Sequence, residues 1–385
     1  MVLELHILLL ALIVAGAAAL GLLIGVAVAR GRPRAGGGRE TAPASGAERG
    51  AAEAGAQAEA LPAPTQAALI VNPSKDMARA AVALLGELCA EKGWPAPLVF
   101  ETEPEDAGGG QARAALEAGA DLVIVAGGDG TVRLVAEQLV GTEVPMGIVP
   151  AGTGNLLARN LDMVLDHTEG ALRIALDGRD SVIDTGAILL GGREEPHTFL
   201  VMAGIGFDAA VMSDVSPARK AKVGWLAYVE AGSRKLLGSR VSVRVRVDEG
   251  EERELKVRSV VAGNCGRLQG GVWLFPEAEI DDGQLDLLVV SPKNLAEWVG
   301  VVASIAGRLV RRGLHTATAQ GERFSVRVEH PVEVQIDGDP FGTTDRMELS
   351  VMPASLVVRA PTPELKRRIR LEQYHLSSSP FVSAG

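Results

Sequence analysis

The order of apolar and polar positions divides the chain into three textures. From Ala67 to Asp184, short apolar runs alternate with segments of helical spacing. Ala68 to Val71, Leu98 to Phe100, Leu122 to Val125, Pro145 to Val149 and Ser181 to Asp184 read as strands. Between them, Met77 to Lys92 repeats Ala81, Leu84, Leu85 and Leu88 on one face and stops at Gly93. Gly109 to Gly119, Val132 to Leu139, a short stretch into Arg159, and Thr168 to Leu176 read as further helices. Continuous apolar strands interleaved with helices predict a parallel, doubly wound sheet. After Asp184 the period changes to two, most clearly in Arg240 to Val247. Thr198 to Ala203, Leu255 to Ala262, Leu285 to Val290, Phe324 to Val328, Val332 to Ile336 and Met347 to Val351 also read as strands. Helices are expected at Val223 to Leu237 and Asn294 to Arg311. This half predicts a mostly antiparallel β unit, with Leu356 to Val358 as a last strand.

The third texture precedes Ala67. Residues 7–29 carry no charge and are long enough to span a bilayer as a helix, followed by Arg30, Arg32, Arg34 and Arg39. The basic side faces the cytoplasm by the positive-inside rule, which gives a single-pass anchor in the inner (cell) membrane with the remainder cytoplasmic. A cleaved signal peptide is the rival, but its basic segment should precede the apolar run, where Glu4 and His6 stand. Gly21 and Gly25 offer a surface for a homodimer. Residues 30–66, rich in Ala, Gly, Glu and Pro, cannot bury a core and read as a flexible linker.

Composition adds three constraints. The 385 residues are 47% hydrophobic but only 3% aromatic, which fits a chain with a large aliphatic core. A net charge of −10 argues against wholesale nucleic-acid binding. Cys89 and Cys265, the only cysteines, are too far apart for a zinc motif and read as buried thiols.

Candidate chemistry gathers at three turns that follow strands: Asn72-Pro73-Ser74-Lys75, Gly127-Gly128-Asp129-Gly130-Thr131 and Ala151-Gly152-Thr153-Gly154-Asn155. In a doubly wound sheet ligands bind beyond the carboxyl ends of the strands. Glycine lets backbone N–H groups approach an anion, and a carboxylate among phosphates suggests a metal ion. Taken alone, the second turn could equally be a tight turn with Asp129 as a cap. No GxxxxGK[ST] sequence occurs, which excludes a P-loop. Five of the histidines, at 167, 197, 315, 330 and 375, show no metal spacing and read as ordinary surface or core residues.

These three turns resemble the nucleotide-side signatures of the diacylglycerol kinase catalytic domain family, which includes bacterial lipid kinases and sphingosine kinases and is related in fold to NAD kinases. Gly204-Ile205-Gly206-Phe207-Asp208, Gly263-Asn264 with Gly270-Gly271, Asp281-Asp282-Gly283 and Asp337-Gly338-Asp339 continue the resemblance in order, from Ala67 to about Arg359. It implies an α/β nucleotide-binding domain (67–185), a β-sandwich domain (186–352), and a C-terminal segment (353–385) that returns to the first domain and ends in a basic tail. It implies transfer of the ATP γ-phosphate to a lipid hydroxyl with Mg2+, diacylglycerol giving phosphatidate. Another lipid alcohol such as a sphingoid base or a polyprenol, an NAD kinase-like activity, and a weakly active nucleotide- or lipid-binding homologue are the alternatives. By resemblance, Asn72, Pro73, Ser74, Thr102, Gly127, Gly128, Asp129, Gly130, Thr131, Gly152, Thr153, Gly154 and Asn155 line the nucleotide, and Asp129 holds its Mg2+. Asp339 stands where the family has the Glu of a DGE motif, the expected general base, with Asp337 as fallback or orienting partner. Asp282, with the carbonyls of Glu279 and Gln284, resembles a second, structural metal site; an ordinary Asp-Gly turn is the alternative. Arg133-Leu134 replaces the Asn-Glu pair that usually follows GGDGT and a further residue, so an acid is lost and a cation gained. Lys366, Arg367, Arg368 and Arg370 in the tail either meet anionic lipid or form a solvated helix face.

Overall fold

The structure is a computed structural model and describes residues 66–75, 77–206, 240–307, 310 and 315–378. The expected membrane helix (7–29), the linker except Gln66, the Phe207-Asp208 part of one motif and the helix at 223–237 lie outside these residues. Among the described residues no helix is long and apolar enough to cross a membrane.

The first half alternates as its pattern predicts: β1 (Ala67–Val71), α1 (Ala78–Glu91), β2 (Leu98–Glu101), α2 (Gly109–Glu117), β3 (Leu122–Gly127), α3 (Asp129–Leu139), β4 (Met146–Pro150), α4 (Leu156–Asn160) and α5 (Thr168–Asp177). The strands lie parallel in the order β4-β3-β1-β2. Every residue of β1, β3 and β4 is buried, as expected of strands covered on both faces. Odd-numbered positions of β1 pack on α1 and α5 through Leu85, Leu88, Leu172 and Ala175. Even-numbered positions face α2 and α3 through Ala112, Val132, Val135 and Leu139. Each such Val or Leu side chain contributes roughly 1.5–3 kcal/mol on burial. His167 caps α5, its Nδ1 accepting the Gly170 N–H at 2.9 Å.

The second half comprises β5 (Arg179–Leu190), β6 (His197–Phe199), β7 (Met202–Ile205), β8 (Val241–Val247), β9 (Arg253–Val257), β10 (Ser259–Gly263), β11 (Leu285–Val290), α6 (Leu295–Ala306), β12 (Thr316–Gly321), β13 (Arg323–Ile336), β14 (Asp339–Ala360) and α7 (Pro363–Ser378). Its own core gathers Phe199, Val245, Val260, Leu287, Phe324, Val334 and Leu349.

Two long strands join the halves. β14 pairs antiparallel with β13 and β5 and then reaches β4, where Val358 lies parallel to Met146. The domain limits expected at 185 and 352 therefore fall inside continuous strands, β5 and β14. The expected separate strands at 324–328 and 332–336 are one bulged strand, as are 347–351 and 356–358. A bulge bends a strand without ending it, so period-two counting reads it as a break. The basic tail is α7, anchored by buried Leu365 and Ile369; Lys366 pairs with Asp162, and Arg368 lies 4.0 Å from Asp177.

Candidate active site

The strand order reverses between β1 and β3, the switch point where such sheets open a crevice. The two turns flanking that point are Asn72–Lys75, after β1, and Gly127–Thr131, after β3. The third glycine turn follows the neighbouring β4. Backbone bonds knit the three: the Ala151 N–H donates to the Gly127 carbonyl at 2.9 Å and the Asn72 N–H to the Ala126 carbonyl at 3.5 Å. Thr102, buried at the end of β2, donates its N–H to the Val71 carbonyl at 2.9 Å. Asn72 closes its own turn, its Oδ1 accepting the Ser74 N–H (3.0 Å) and hydroxyl (2.6 Å); Pro73 and Ser74 are exposed.

The glycines have a packing reason that sequence reasoning missed. A Cβ on Gly127 would lie 2.7 Å from the Thr131 Cβ, one on Gly152 would lie 2.8 Å from the Gly128 Cα, and one on Gly154 would lie 2.5 Å from Asp129 Oδ2. The two glycine turns touch backbone to backbone. Asp129 ties them: Oδ1 accepts the Leu156 N–H at 2.5 Å and Oδ2 the Asn155 N–H at 2.8 Å. Burial raises the Asp129 pKa, the two N–H bonds oppose the shift, and the nearby Asp339 carboxylate adds to it. Asp129 therefore accepts the N–H groups that open α4, the capping side of the two roles read for it, and this stands beside the metal role. Each oxygen keeps a lone pair.

Asn155 adopts a left-handed conformation (φ 49°) and closes the third turn, accepting the Gly152 N–H (3.0 Å) and donating to the Gly152 carbonyl (2.8 Å). Among the described residues, the N–H groups of Gly128, Gly130, Thr131, Thr153 and Gly154 find no acceptor. These five are the backbone donors left for an anion.

Asp337 and Gly338 both have positive φ (49° and 95°) and form the two-residue connection of the β13–β14 hairpin, in which Ile336 pairs with Asp339. Asp337 is buried, its carboxylate accepting the N–H groups of Leu200 (2.9 Å), Val201 (2.8 Å) and Met202 (3.0 Å). Burial pushes its pKa up to about 6, against the pull of the three N–H donors and of Arg133. Of the two roles read for Asp337, fallback base or orienting partner, a buried carboxylate committed to three backbone donors fits the orienting partner. Asp339, the first residue of β14, is exposed and has no hydrogen-bonded side chain among the described residues. A Cβ on Gly130 would lie 3.2 Å from Asp339 Oδ2, so the hairpin tip stands over the first turn of α3.

The Asp282 turn lies elsewhere. Asp282 is exposed and its Oδ1 accepts the Gln284 N–H at 2.9 Å, while Gly283 (φ 73°) donates to Asp184 Oδ2 at 2.7 Å. These are the features of the Asp-Gly turn reading. Glu279 is exposed, and no cluster of three or more His, Cys, Asp or Glu forms among the described residues. Buried Asp184 was not singled out from the sequence; it holds this turn and also accepts the Ala354 N–H at 2.7 Å.

Comparison with known proteins agrees with this arrangement. Residues 66–188 match the model described as "Diacylglycerol kinase catalytic domain", and residues 201–360 the "YegS C-terminal NAD kinase beta sandwich-like domain". A Mycobacterium tuberculosis protein named "Diacylglycerol kinase" is 31% identical over 253 residues, 64% of this chain and 79% of that protein. A Klebsiella pneumoniae protein named "Probable lipid kinase YegS-like" is 30% identical over 255 residues, 64% of this chain and 80% of that protein. In fold, the chain is similar to a diacylglycerol kinase crystal structure from Bacillus anthracis, with a TM-score of 0.56, 21% identity, and 78% and 98% of the two chains covered. With its glycine turns at the switch point and a β-sandwich-like half presenting Asp339 to them, the chain belongs to the diacylglycerol kinase family of lipid kinases.

Proposed function

We propose that this protein transfers the γ-phosphate of ATP to a hydroxyl of a membrane lipid, diacylglycerol giving phosphatidate. The observation that carries the reading is the convergence on one α3 turn of free backbone donors (Gly130, Thr131) and a free carboxylate (Asp339) from the opposite half of the fold. The first turn of an eleven-residue helix favours phosphate oxygens through its N–H groups and dipole. The exposed Asp339 carboxylate takes the proton of the acceptor hydroxyl as its oxygen bonds to the γ-phosphorus and the bond to the β,γ-bridging oxygen breaks. ADP leaves, and the lipid keeps the phosphate as a monoester.

The residues present fit Mg2+ carried by the nucleotide. Asp129 and Asp339 repel across the site and each retains lone pairs, but the described residues offer no three-ligand cage. Bound there, the ion would neutralise phosphate charge, with Asp129 as its protein-side partner. A lipid acceptor also accounts for the uncharged stretch at 7–29, which we read as the anchor holding the catalytic part at the inner leaflet. A reporter fused to the C-terminus and found outside the cytoplasm would overturn that placement.

The test is a radiolabelled-ATP assay of the full chain in mixed micelles with diacylglycerol, a sphingoid base and a polyprenol as separate acceptors. Label in the diacylglycerol fraction is expected. Asp339→Asn should lower turnover by about 100-fold or more while sparing ATP binding. Absence of transfer to any lipid would sink the reading, and wild-type turnover by Asp339→Asn would remove that base.

A further inference from the structure

Arg133 is the most anomalous polar residue of the described chain. It sits on α3 one turn beyond Gly130 and is only 7% exposed. Its Nε and Nη1 are buried without a hydrogen-bond partner, and its nearest acid, Glu137, is 3.7 Å away. Buried donors are nearly always hydrogen-bonded, so a guanidinium with two unbonded nitrogens and only a 3.7 Å ion pair needs a further contact. That contact is Phe341: the Arg133 guanidinium carbon lies 5.6 Å from the ring centroid. Arg193 approaches the same ring at 5.1 Å, and His197 meets it edge-on at 4.6 Å. Arg193 Nη1 lies 2.9 Å from His197 Nε2, and Glu137 Oε1 accepts the Thr198 N–H at 3.4 Å.

The geometry forms two rungs. Residues 130 and 133 share one face of α3, and Phe341 is the bulged residue of β14, two places after Asp339 and skipped by the pairing with β13. One rung is Gly130 against Asp339; the next is Arg133 against Phe341. α3 belongs to the first core through Val132 and Val135, whereas Phe341 packs on the second. Glu137 of α3 adds an indirect link, its Oε1 lying 3.8 Å from Nδ1 of the His197 that packs on Phe341, whereas the Asp337 anchor points away from α3, to residues 200–202.

We propose that Arg133 is a positioning residue: by clasping Phe341 it holds the hairpin tip so that Asp339 stands over the first turn of α3. The kinetic consequence rests on the kinase reading; the positional one does not. Cysteines introduced as Gly130→Cys and Asp339→Cys in the full chain report this approach through disulfide formation with added oxidised glutathione, since a Cβ on Gly130 would lie 3.2 Å from Asp339 Oδ2. Arg133→Met should slow that disulfide by between about 2-fold and 30-fold, the span of a cation–π contact, and Arg133→Lys should restore part of the rate. Phe341→Leu removes the rung from the other side and should act alike, which covers the case of an Arg133 variant that fails to fold. An unchanged disulfide rate in either variant overturns the proposal. In the native-cysteine background, Arg133→Met should lower kcat by a similar factor with KM for ATP unchanged. A rise in KM for ATP at constant kcat would instead make Arg133 a nucleotide ligand and also overturn the proposal. If the wild-type chain phosphorylates no lipid, the kinase reading fails, and the disulfide rates still decide the role of Arg133.

Discussion

Replacing Asp129 with Asn separates the structural from the chemical role of the central turn. Asp129 accepts two N–H groups on different oxygens, from Leu156 at 2.5 Å and Asn155 at 2.8 Å. An amide offers one oxygen and one NH2, so one of those donors must face another donor. A hydrogen bond to a charged group contributes about 1.5–3 kcal/mol. Losing one should speed local opening of the 151–156 turn by roughly 10- to 150-fold, since each 1.36 kcal/mol is tenfold. Hydrogen-exchange mass spectrometry of a peptide covering Gly152 to Leu157 reads this directly, without any substrate. Asp129→Ala should abolish protection at Asn155 and Leu156 altogether. If Asp129→Ala leaves their exchange unchanged, the carboxylate does not staple the turns. If Asp129→Asn loosens the turn, its loss of turnover cannot be assigned to metal binding alone, because the third glycine turn has moved as well.

Three further outcomes follow from the geometry. The Asp337 pKa stands at about 6 against an ordinary 3.8, so the folded protein binds that proton more tightly than the unfolded chain. Its contribution is fully present below pH 3.8 and lost as pH rises through 6; between pH 7 and 4.5 wild type should gain about 2 kcal/mol in unfolding free energy relative to Asp337→Asn, and a flat difference refutes the shift. Gly154→Ala drives a methyl against Asp129 and should cost about 1–3 kcal/mol, whereas Gly86→Ala, inside α1 with nothing within 4 Å, should gain about 0.5–1 kcal/mol; equal melting shifts would contradict the packing argument. Arg244, Arg327 and Arg346 lie directly opposite one another on β8, β13 and β14, so Arg327→Gln should stabilise the fold by about 0.4–2 kcal/mol at low salt, and a loss would refute the repulsion.

How much of this could be read from the residues varies along the chain. The βα alternation was plain because parallel strands buried on both faces are continuous apolar runs. The bulged β13 and β14 were not, since a bulge resets the alternation that marks a strand. Asp337-Gly338 between two alternating segments is a hairpin signal in its own right. Read as a motif of two acids, it left Asp337 as base or orienting partner, and its three backbone donors favour the second. His197 carried no signal at all, because its partners Phe341, Arg193 and Glu137 are scattered over more than 200 residues.

Local order was therefore settled by the sequence: which segments are strands or helices, that three polar turns end three parallel strands, and that Asp339 follows a tight Asp-Gly turn. These depend on periodicity and on backbone preferences of a few adjacent residues. Which groups meet was decided only by the tertiary structure. β14 runs from the hairpin tip back to β4, and that path brings Asp339 to Gly130 and Phe341 to Arg133. Burial and donor count then assign the roles: Asp337, dry and fully engaged, anchors, while Asp339, exposed and unengaged, is free to react.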